Sequence, residues 1–398
     1  MRIGIDGACL ANRRGFGRFA RQMVEALAKA DSGHDFVAFV DGPSSPSIGL
    51  PEGFERVVVD VREAPSRAAS ASGRRRVGDM LAMGRAVARA RLDAIYFPAS
   101  YSFFPVWNAG HVVVTMHDTL ALAHPEWVFP TWQGKMAWQA KERAAALWAD
   151  RIVTVSEAAR RDLLAWFNLP EGRVAVVSEG PDAAFTPEAG PAHLADAVLR
   201  SHGIEPGTRY LLYVGGLSPH KNLPRLIEAF ALGAPADVKL VLVGDLGDVF
   251  HTHVPELREA IGRFHLGDRA HLAGFVPDAE LAHLYRRAYA LVQPSLMEGF
   301  GLPPVEAMAC GTPVLSSTAG SLPEVVGEAG VFFDPTDIEG MADAITGLLG
   351  DPEGRDRLAS LALARASRFT WESAARSLIE CFEGLGRSRG SDTLGRSA

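Results

Sequence analysis

The feature that most constrains the fold is an alternation of short β-branched runs with amphipathic helical stretches, which starts at the first residues. In the first half, apolar runs occupy residues 2–5, 36–40, 57–59, 94–97, 112–115, 152–155 and 174–177. Helical periodicity lies between several of them, at residues 16–28, 77–90, 132–148 and 157–167. Continuous apolar strands separated by helices are typical of a parallel sheet that is buried on both faces. The first half therefore predicts repeated βα units.

A second series of such units follows a change in composition near the middle of the chain. Between Pro181 and Gly207, proline and glycine accumulate and strand character disappears, which is typical of a domain boundary. Apolar runs resume at residues 210–214, 239–243, 270–272, 290–293 and 314–315. We predict an N-terminal domain over 1–187, a linker over 188–207 and a C-terminal domain over 208–370. The expected fold class is α/β, with two Rossmann-like doubly wound domains facing each other across a cleft.

The last part of the chain has its own pattern. Helical periodicity follows Thr370, a suitable N-cap, with Glu372 in the first turn. We expect a C-terminal helix over 371–386 that crosses back to the N-terminal domain. Residues 387–398 are rich in glycine, serine and arginine, and we predict a disordered tail there.

Composition narrows the class of protein. The 398 residues are 47% hydrophobic and 22% charged, which excludes a disordered or fibrous chain. Cys9, Cys310 and Cys381 lack the spacing of a disulfide framework or zinc site, so we expect a reducing, cytoplasmic compartment. The first residues lack the features of a secretory signal, and prolines interrupt the uncharged run at 94–116, which argues against a membrane span.

Charge differs between the two halves. Residues 1–185 contain 22 Lys+Arg and 20 Asp+Glu, and the remainder contains 18 and 27. Neither half is basic enough for general nucleic-acid binding. A mildly basic first half suits peripheral contact with the anionic inner face of a membrane.

The most informative segment is residues 294–313, PSLMEGFGLPPVEAMACGTP, which follows an apolar run. Pro303 and Pro304 suit the first turn of a helix, where a missing N–H costs nothing. The loop that leads into this helix consists of Gly299, Phe300, Gly301 and Leu302. Backbone amides delivered to a helix N-terminus bind anions such as phosphate.

Two glutamates flank this loop, Glu298 before it and Glu306 in the first or second helical turn. An acid one turn beyond a phosphate site can accept hydrogen bonds from both hydroxyls of a ribose. Glu298 could hold hydroxyls of a second polar group. The alternative is a solvated Glu298 and a Glu306 that serves only the helix dipole. The coincidence of glycines, prolines and acids favours a binding site.

This segment resembles the family 4 retaining glycosyltransferases of glycosyltransferase group 1, which have the GT-B fold and use nucleotide-sugar donors. Those enzymes have two glutamates separated by seven residues, as Glu298 and Glu306 are here, followed by a small-residue stretch like EAMACGTPV at 306–314. The resemblance implies that Glu306 binds the donor ribose and that Glu298 lies beside the donor sugar and diphosphate. It also implies that the amides of residues 299–302 face the sugar and the phosphates.

A second stretch, YVGGLSPHKN at residues 213–222, places Lys221 between a strand and a helix. A lysine there can reach a diphosphate as a flexible point charge, although an exposed lysine without a ligand is the alternative. The stretch is similar to the family's phosphate-binding motif, and Lys221 takes its lysine position. Gly216 stands where many relatives have arginine, so one diphosphate contact is missing or comes from His220 or Arg225.

In the first half, Gly15 and Gly17 open the first helix, where a glycine allows close approach of backbone to ligand. An ordinary turn explains them equally well. An NAD site would also use Asp41, at the end of the second strand. The long loop over residues 6–14 and Ala20 at the third glycine position argue against it. In the family, a similar loop lies across the cleft from the donor phosphates, which implies that Gly15 and Gly17 contact donor or acceptor.

His117 and Asp118 follow the run at 112–116, and open α/β sheets bind ligands at such strand ends. The THDT context resembles the family's first-domain histidine, which implies that His117 lies near the transferred sugar. We expect Asp118 to orient the turn. A purely structural histidine is the alternative.

Aromatic and basic residues crowd one segment of the first half: Trp127, Phe129, Trp132, Lys135, Trp138, Lys141, Arg143 and Trp148. They suit a membrane interface or a sugar-stacking acceptor site, and helix packing explains them as well. Arg67, Arg74, Arg75 and Arg76 form a basic stretch that could attract an anionic lipid or a diphosphate-linked acceptor, or could be a solvated loop.

No metal or other cofactor is expected. The sequence has no Asp-x-Asp pair, and His251 and His253 near Asp245 and Asp248 better fit a solvated loop than a metal site.

Together the patterns predict a metal-independent, retaining hexosyltransferase. Its catalytic residues are Glu298, His117 and Lys221. The Gly216 and THDT variants look most like mannosyltransferases of polysaccharide or lipopolysaccharide assembly, which favours GDP-mannose and a saccharide or lipid-linked acceptor. A UDP- or TDP-sugar, an NAD-dependent oxidoreductase and a non-catalytic nucleotide-sugar-binding protein are the alternatives.

Overall fold

The computed structural model describes residues 1–12, 15–63, 76–129, 131–247 and 254–394, with side chains up to residue 387. The chain divides into two compact units. The first unit comprises Met1–Glu179 and the chain from Trp371 onward, and the second comprises Gly180–Thr370. The division after Glu179 is earlier than the predicted end of the N-terminal domain at 187.

The first unit contains a seven-stranded sheet in which every described pairing is parallel. Its strands are β1 (Arg2–Asp6), β2 (Asp35–Asp41), β3 (Phe54–Val59), β4 (Ala94–Phe97), β5 (His111–Thr115), β6 (Arg151–Thr154) and β7 (Val174–Val176). The spatial order is β3-β2-β1-β4-β5-β6-β7. The central strands coincide with the predicted apolar runs because residues buried on both faces leave a continuous apolar signal. The edge strand β3 starts three residues before its predicted run, where Glu55 and Arg56 are exposed.

Six helices of this unit are described. They are α1 (Gly15–Lys29), α2 (Val77–Arg89), α3 (Leu120–Ala123), α4 (Trp132–Trp148), α5 (Glu157–Phe167) and, at the chain end, α14 (Trp371–Leu394). Phe382 of α14 packs edge-on against Tyr96 of β4, with 6.0 Å between ring centroids. The helix continues through residues 387–394, where the sequence predicts a disordered tail. No proline interrupts it, and glycines weaken a helix by only about 1 kcal/mol each. Residues 395–398 lie outside the described part.

The second unit contains a six-stranded parallel sheet in the order β10-β9-β8-β11-β12-β13. The strands are β8 (Arg209–Val214), β9 (Val238–Val243), β10 (Ala270–Gly274), β11 (Ala290–Gln293), β12 (Val314–Ser317) and β13 (Gly330–Phe333). In both sheets the strand order reverses beside the first strand, between β1 and β4 and between β8 and β11. This is the doubly wound arrangement that the sequence predicts.

Helices connect the strands of the second unit. They are α6 (Ala192–Ser201), α7 (Leu223–Gly233), α8 (Val254–Arg263), α9 (Asp278–Arg287), α10 (Leu302–Ala309), α11 (Leu322–Val326), α12 (Ile338–Gly350) and α13 (Pro352–Ala366). Helix α6 lies in the stretch 188–207 that the sequence predicts as a linker. Prolines and glycines flank the segment AHLADAVLRS, which is rich in alanine and leucine, and those residues favour helix. None of the described helices combines the length and apolar content needed to cross a membrane.

Candidate active site

The candidate site of the second unit lies where its strand order reverses, between β8 and β11. Neighbouring loops diverge at such a point, and the crevice that opens beyond the carboxyl ends of the strands binds ligands in open α/β sheets. The loop after β8 contains Gly216 and Lys221, and the loop after β11 contains Glu298. Two separate sequence signals therefore converge at one edge of one sheet.

The loop after β8 is held by backbone contacts that require glycine. Gly215 has φ +151°, and its N–H donates to the Val243 carbonyl at 3.0 Å. A Cβ on Gly244 would overlap the Gly215 carbonyl oxygen, so glycine is required there too. The Tyr213 hydroxyl donates to the Gly216 carbonyl at 2.6 Å. These contacts fix the course of the loop before it reaches Lys221.

Asn222 joins three loops of the second unit. It is buried and left-handed, with φ +60°, a conformation that asparagine tolerates better than most residues. Its Nδ2 donates to the Pro294 carbonyl at 3.0 Å and to the Pro335 carbonyl at 2.7 Å. The exposed Arg225 donates to its Oδ1 at 2.9 Å. Arg225, a candidate for the diphosphate contact missing at Gly216, is thus engaged at the base of the loop.

Lys221 and Glu298 form a buried ion pair. Lys221 Nζ lies 2.6 Å from Glu298 Oε1, and the two side chains are 15% and 11% exposed. Gln293 Nε2 and Ser295 Oγ also donate to Oε1, each at 2.7 Å. The described side-chain hydrogen bonds to this carboxylate thus all end on one oxygen, which orients the other, Oε2, for a further partner. Gln293 and Ser295 were not predicted, because Gln293 ends an apolar strand and gives no separate signal.

The charges of this cluster shift its protonation equilibria. Burial favours the neutral acid of Glu298, but the positive charge of Lys221, the interaction with His220 and the hydrogen bonds outweigh it and lower the pKa. Burial, together with the charge of Lys221, lowers the pKa of His220 to about 3 against the opposing effect of Glu298. At neutral pH Glu298 is therefore ionised and the imidazole of His220 is neutral. His220 Nδ1 lies 3.2 Å from Ser218 Oγ.

Helix α10 begins one residue earlier than predicted, at Leu302, with Gly301 as its N-cap at φ +100°. The glycine conformation turns the chain sharply into the helix. Pro303 and Pro304 have no N–H, so the amides of Gly301 and Leu302 are the donors of the first turn that no intrahelical bond satisfies. Phe300 is buried and packs edge-on against Phe369 at 5.6 Å. Its ring is part of the core, so only its backbone can serve a ligand.

A third loop supports Glu298 and gave no sequence signal that we recognised. Gly320 has φ +58°, and a Cβ there would overlap the Glu298 carbonyl oxygen. Ser321 Oγ donates to the carbonyl oxygens of Glu298 at 3.1 Å and Phe300 at 2.7 Å. The small residues after β12 thus fix the backbone on both sides of Gly299.

Glu306 lies in the second turn of α10 and is 1% exposed. The Tyr285 hydroxyl of α9 donates to its Oε2 at 3.0 Å. A role limited to the helix dipole does not account for a carboxylate that is buried and hydrogen-bonded by a side chain of another helix.

His117, Gly15 and Gly17 belong to the first unit. His117 Nε2 lies 3.1 Å from the Pro98 carbonyl, and Nδ1 lies 3.6 Å from Glu179 Oε1. Phe19 contacts the imidazole edge-on at 4.7 Å, so the ring is held in one orientation. Asp118 Oδ1 accepts from the Leu120 N–H at 2.8 Å, which confirms that Asp118 orients the turn into α3.

The glycines of α1 differ from each other. A Cβ on Gly17 would overlap the Asn12 carbonyl oxygen, so close packing accounts for this glycine, whereas Gly15 has open space around it. Arg13 and Arg14 of the preceding loop lie outside the described residues. Asp41 is completely buried, and its Oδ1 accepts from the Ser44 N–H at 2.9 Å. This contact gives Asp41 a structural role in the turn that follows β2.

The aromatic segment of the first unit divides into packed and exposed rings. Lys141 Nζ lies 3.6 Å from the centroid of Trp138, and Trp127 stacks on His124 at 4.0 Å. Trp132 and Trp148 are 71% and 45% exposed, so helix packing explains only part of this group. Arg76 pairs with Glu63 at 3.2 Å, and Arg67, Arg74 and Arg75 lie outside the described residues.

No group of three or more potential metal ligands occurs among the residues that the structure describes. His251, His253 and Asp248 lie outside the described residues.

Comparison with known proteins identifies the family. The model "Glycosyl transferases group 1" matches residues 196–364, and "Glycosyltransferase Family 4" matches residues 13–185. The O-antigen chain mannosyltransferase B of Escherichia coli is 33% identical over 291 residues, 71% of this chain and 72% of that protein. The MMP alpha-(1->4)-mannosyltransferase of Mycolicibacterium hassiacum is 30% identical over 290 residues, 70% of this chain and 65% of that protein.

A solved structure shares the fold. The sucrose-phosphate synthase of Thermosynechococcus elongatus superimposes with a TM-score of 0.75 over 98% of this chain and 100% of that one, at 21% identity. Such a likeness at low identity extends over both α/β units. Taken with the sequence relatives, it shows that the chain belongs to the group 1 glycosyltransferases of family 4 and has their GT-B fold.

Proposed function

We propose that this glycosyltransferase moves a mannosyl group from GDP-mannose to a hydroxyl of a saccharide or lipid-linked acceptor, with retention of anomeric configuration. The observation that carries the proposal is the Lys221–Glu298 ion pair. Its two residues lie in the loops after β8 and β11, where the strand order reverses, and Glu298 stands in the loop that leads to α10. Support for mannosyl transfer in polysaccharide or glycolipid assembly comes from the two mannosyltransferases that this chain resembles.

In the proposed reaction the protein supplies charge and position. The acceptor oxygen forms a bond to C1 of mannose as the bond from C1 to the phosphate oxygen breaks, and GDP leaves with that electron pair. The acceptor proton passes to the departing phosphate oxygen. Lys221 and the amides of Gly301 and Leu302 offset the charge that grows on the diphosphate. No covalent nucleophile from the chain takes part.

The two glutamates have separate tasks in this proposal. Glu298 keeps Oε1 for Lys221, Gln293 and Ser295 and uses Oε2 to accept from mannose hydroxyls. Glu306 accepts from the ribose hydroxyls of the nucleotide. Lys221 has three N–H donors, so it can bind Glu298 and a phosphate oxygen together. Gly216 leaves space at the diphosphate, and the neighbouring His220 is the side chain best placed in sequence to supply a contact.

In the first unit we assign to His117 a contact with the transferred sugar and to the backbone of Gly15 a contact with donor or acceptor. The Pro98 carbonyl anchors His117 Nε2, so Nδ1 is the ring atom that can change partners. Gly17 supports this contact indirectly, because the absence of a side chain there lets the start of α1 pack against the Asn12 carbonyl.

The proposed reaction needs no metal ion, because Lys221 and the helix amides neutralise the diphosphate. Transfer measured in EDTA and in Mg²⁺ should agree within about twofold, whereas a rate that metal alone restores would contradict this part of the proposal. Retention is tested by NMR of the product. An α-linked mannoside from the α-linked donor supports it, and a β-linked product contradicts it.

Donor identity is tested by thermal stabilisation with GDP, UDP, TDP, ADP and NAD. Saturation at a hundred times Kd adds about 2.7 kcal/mol to the stability of the folded state. We expect GDP to stabilise the wild type and not Glu306→Gln, with Glu280→Gln, also on the second unit, as the matched control. Selective stabilisation by UDP or TDP would point to the same chemistry with another donor and acceptor. Stabilisation by NAD alone would point to an oxidoreductase. Binding of a nucleotide sugar without transfer or hydrolysis would point to a non-catalytic nucleotide-sugar-binding protein.

We further propose a cytoplasmic location with peripheral contact to an anionic membrane through α4. One face of this helix exposes Trp132, Met136, Arg143 and Leu147, and the three apolar side chains are 71%, 55% and 83% exposed. Apolar side chains with a basic neighbour suit the interface of an anionic bilayer. The wild type should sediment with phosphatidylglycerol vesicles more than with phosphatidylcholine vesicles. Trp132→Ser with Leu147→Ser should abolish this, while Leu232→Ser, an exposed leucine of α7, should not. Equal sedimentation of all variants would contradict the contact.

A further inference from the structure

Tyr285 connects α9 to the carboxylate of Glu306. Its hydroxyl donates to Glu306 Oε2 at 3.0 Å, and the two side chains are 0% and 1% exposed. A hydrogen bond to an ionised, buried carboxylate is stronger than one between neutral groups, and it also fixes the direction of the acceptor. Tyr285 lies outside the two sequence motifs of this unit, so its contact with Glu306 could not be predicted from them.

The position of Tyr285 is itself fixed from three sides. Thr312 Oγ1 donates to the Tyr285 carbonyl at 2.7 Å. Phe185 packs edge-on against the tyrosine ring, with 5.5 Å between centroids. The next residue, Arg286, donates to the carbonyl oxygens of Thr186 at 2.6 Å and Ala184 at 3.0 Å. The segment over residues 184–186 is thereby fastened to α9 with its aromatic side chain against Tyr285.

We infer that Tyr285 is the positioning residue for Glu306 and that it sets how strongly this site distinguishes a ribose from a deoxyribose. The inference rests on the proposed function, in which Glu306 accepts from the ribose hydroxyls. A ribose donates two hydrogen bonds from adjacent hydroxyls, and only a carboxylate in one orientation accepts both well. When the tyrosine hydroxyl is removed, the carboxylate loses this orienting hydrogen bond, and the ribose hydroxyls contribute less to binding.

The experiment compares Kd for GDP and 2′-deoxy-GDP in the wild type, Tyr285→Phe and Tyr210→Phe, by calorimetry. Tyr210 is the matched control. Its buried hydroxyl donates at 2.7 Å to the carbonyl of Leu284, which lies on α9 beside Tyr285, and this hydrogen bond does not involve Glu306. We expect the wild type to bind GDP about tenfold or more tightly than the deoxy analogue, as for one charge-assisted hydrogen bond. In Tyr285→Phe this ratio should fall to about threefold or less, and Tyr210→Phe should keep the wild-type ratio.

The outcomes separate the inference from the proposed function. A wild-type ratio that Tyr285→Phe leaves unchanged would overturn the positioning role while the ribose role of Glu306 stands. A ratio that falls equally in Tyr285→Phe and Tyr210→Phe would show a general effect of disturbing α9 and would also overturn it. If the wild type binds UDP instead, the same pair of analogues is made with uridine. A wild type that does not distinguish ribose from deoxyribose would overturn the role of Glu306 and the inference with it.

Discussion

Lys221 Nζ donates to Glu298 Oε1 over 2.6 Å, and this contact joins the loops that leave the two strands between which the second sheet reverses its order. Both side chains are mostly buried, so water screens the attraction between their opposite charges only weakly. The pair therefore fixes the two loops relative to each other before any ligand binds, with the Lys221 ammonium at the position that the proposed function assigns to diphosphate binding.

Lys221→Ala and Glu298→Gln should each lower turnover by at least about a hundredfold, because each removes charge that is best placed in the transition state. Lys221→Ala also leaves a buried carboxylate without its cation, which we expect to cost about 3 kcal/mol of unfolding free energy. Steady-state kinetics and urea denaturation measure the two effects. Arg209→Ala, which breaks the exposed pair with Asp237, should change neither, and wild-type turnover by both site variants would refute the assignment.

His220 should make stability depend on pH. Its pKa is about 3 in the folded protein and about 6.5 when unfolded, so below pH 6.5 the unfolded chain binds a proton that the folded chain does not. The stabilising contribution is complete above pH 6.5 and is lost as pH falls toward 3. Between pH 7.5 and pH 5 this amounts to about 1–2 kcal/mol. Urea denaturation at several pH values should show a steeper loss for wild type than for His220→Asn, and parallel curves would contradict this prediction.

Asn222→Asp should be more damaging than Asn222→Gly. Aspartate replaces the Nδ2 donor by an oxygen that faces the Pro294 and Pro335 carbonyls, whereas glycine keeps the left-handed backbone and merely deletes the bonds. We expect a loss of about 2–3 kcal/mol for aspartate and about half that for glycine. Thermal denaturation at pH 7.5 compares the two. Equal losses would contradict the prediction, because they would mean that repulsion between the new carboxylate oxygen and the two carbonyls adds nothing to the loss of the hydrogen bonds.

Gly320→Ala should impair donor binding although Gly320 is not one of the proposed ligand contacts. The new Cβ would displace the Glu298 backbone, so KM for the donor should rise by about tenfold, with stability falling by about 1–3 kcal/mol. Gly347→Ala is the control, since this glycine lies within α12 with open space around it. That change should stabilise the helix by about 0.5–1 kcal/mol without altering KM. A KM that remains unchanged in Gly320→Ala would remove the third loop from the site.

Most of the fold was accessible from the sequence because each central strand is an unbroken apolar run that ends in glycine or polar residues. Strand β13 and helices α3, α6, α11, α12 and α13 were not predicted individually. The strand GVFF is short, and α6 is flanked by the prolines and glycines that suggested a linker. Local pattern carries information on burial, but it does not reveal where a proline-rich stretch resumes regular structure.

The site was predicted only in part, for a physical reason. Lys221 and Glu298 lie in motifs whose residue types reveal their chemistry. Gln293, Ser321 and Tyr285 act on those motifs through contacts that depend on tertiary packing: Ser321 meets the backbone of Glu298 across 23 positions, and Tyr285 meets Glu306 across 21. A glutamine at a strand end or a tyrosine on a helix has the same local signature whether or not it supports a binding residue.

The amide of Asn222 has a consequence for attempts to change donor preference by exchanging loops between relatives. Its two acceptors are proline carbonyls in loops that lie 72 and 113 positions farther along the chain. If a transplanted segment after β13 shifted the Pro335 carbonyl, one of the two hydrogen bonds of the Asn222 amide would be lost. The loop that contains Lys221 would then be held less firmly, although its own sequence was unchanged. Grafts should therefore retain Asn222, Pro294 and Pro335 as one inseparable set, and libraries that vary the three loops independently would consist mostly of inactive members.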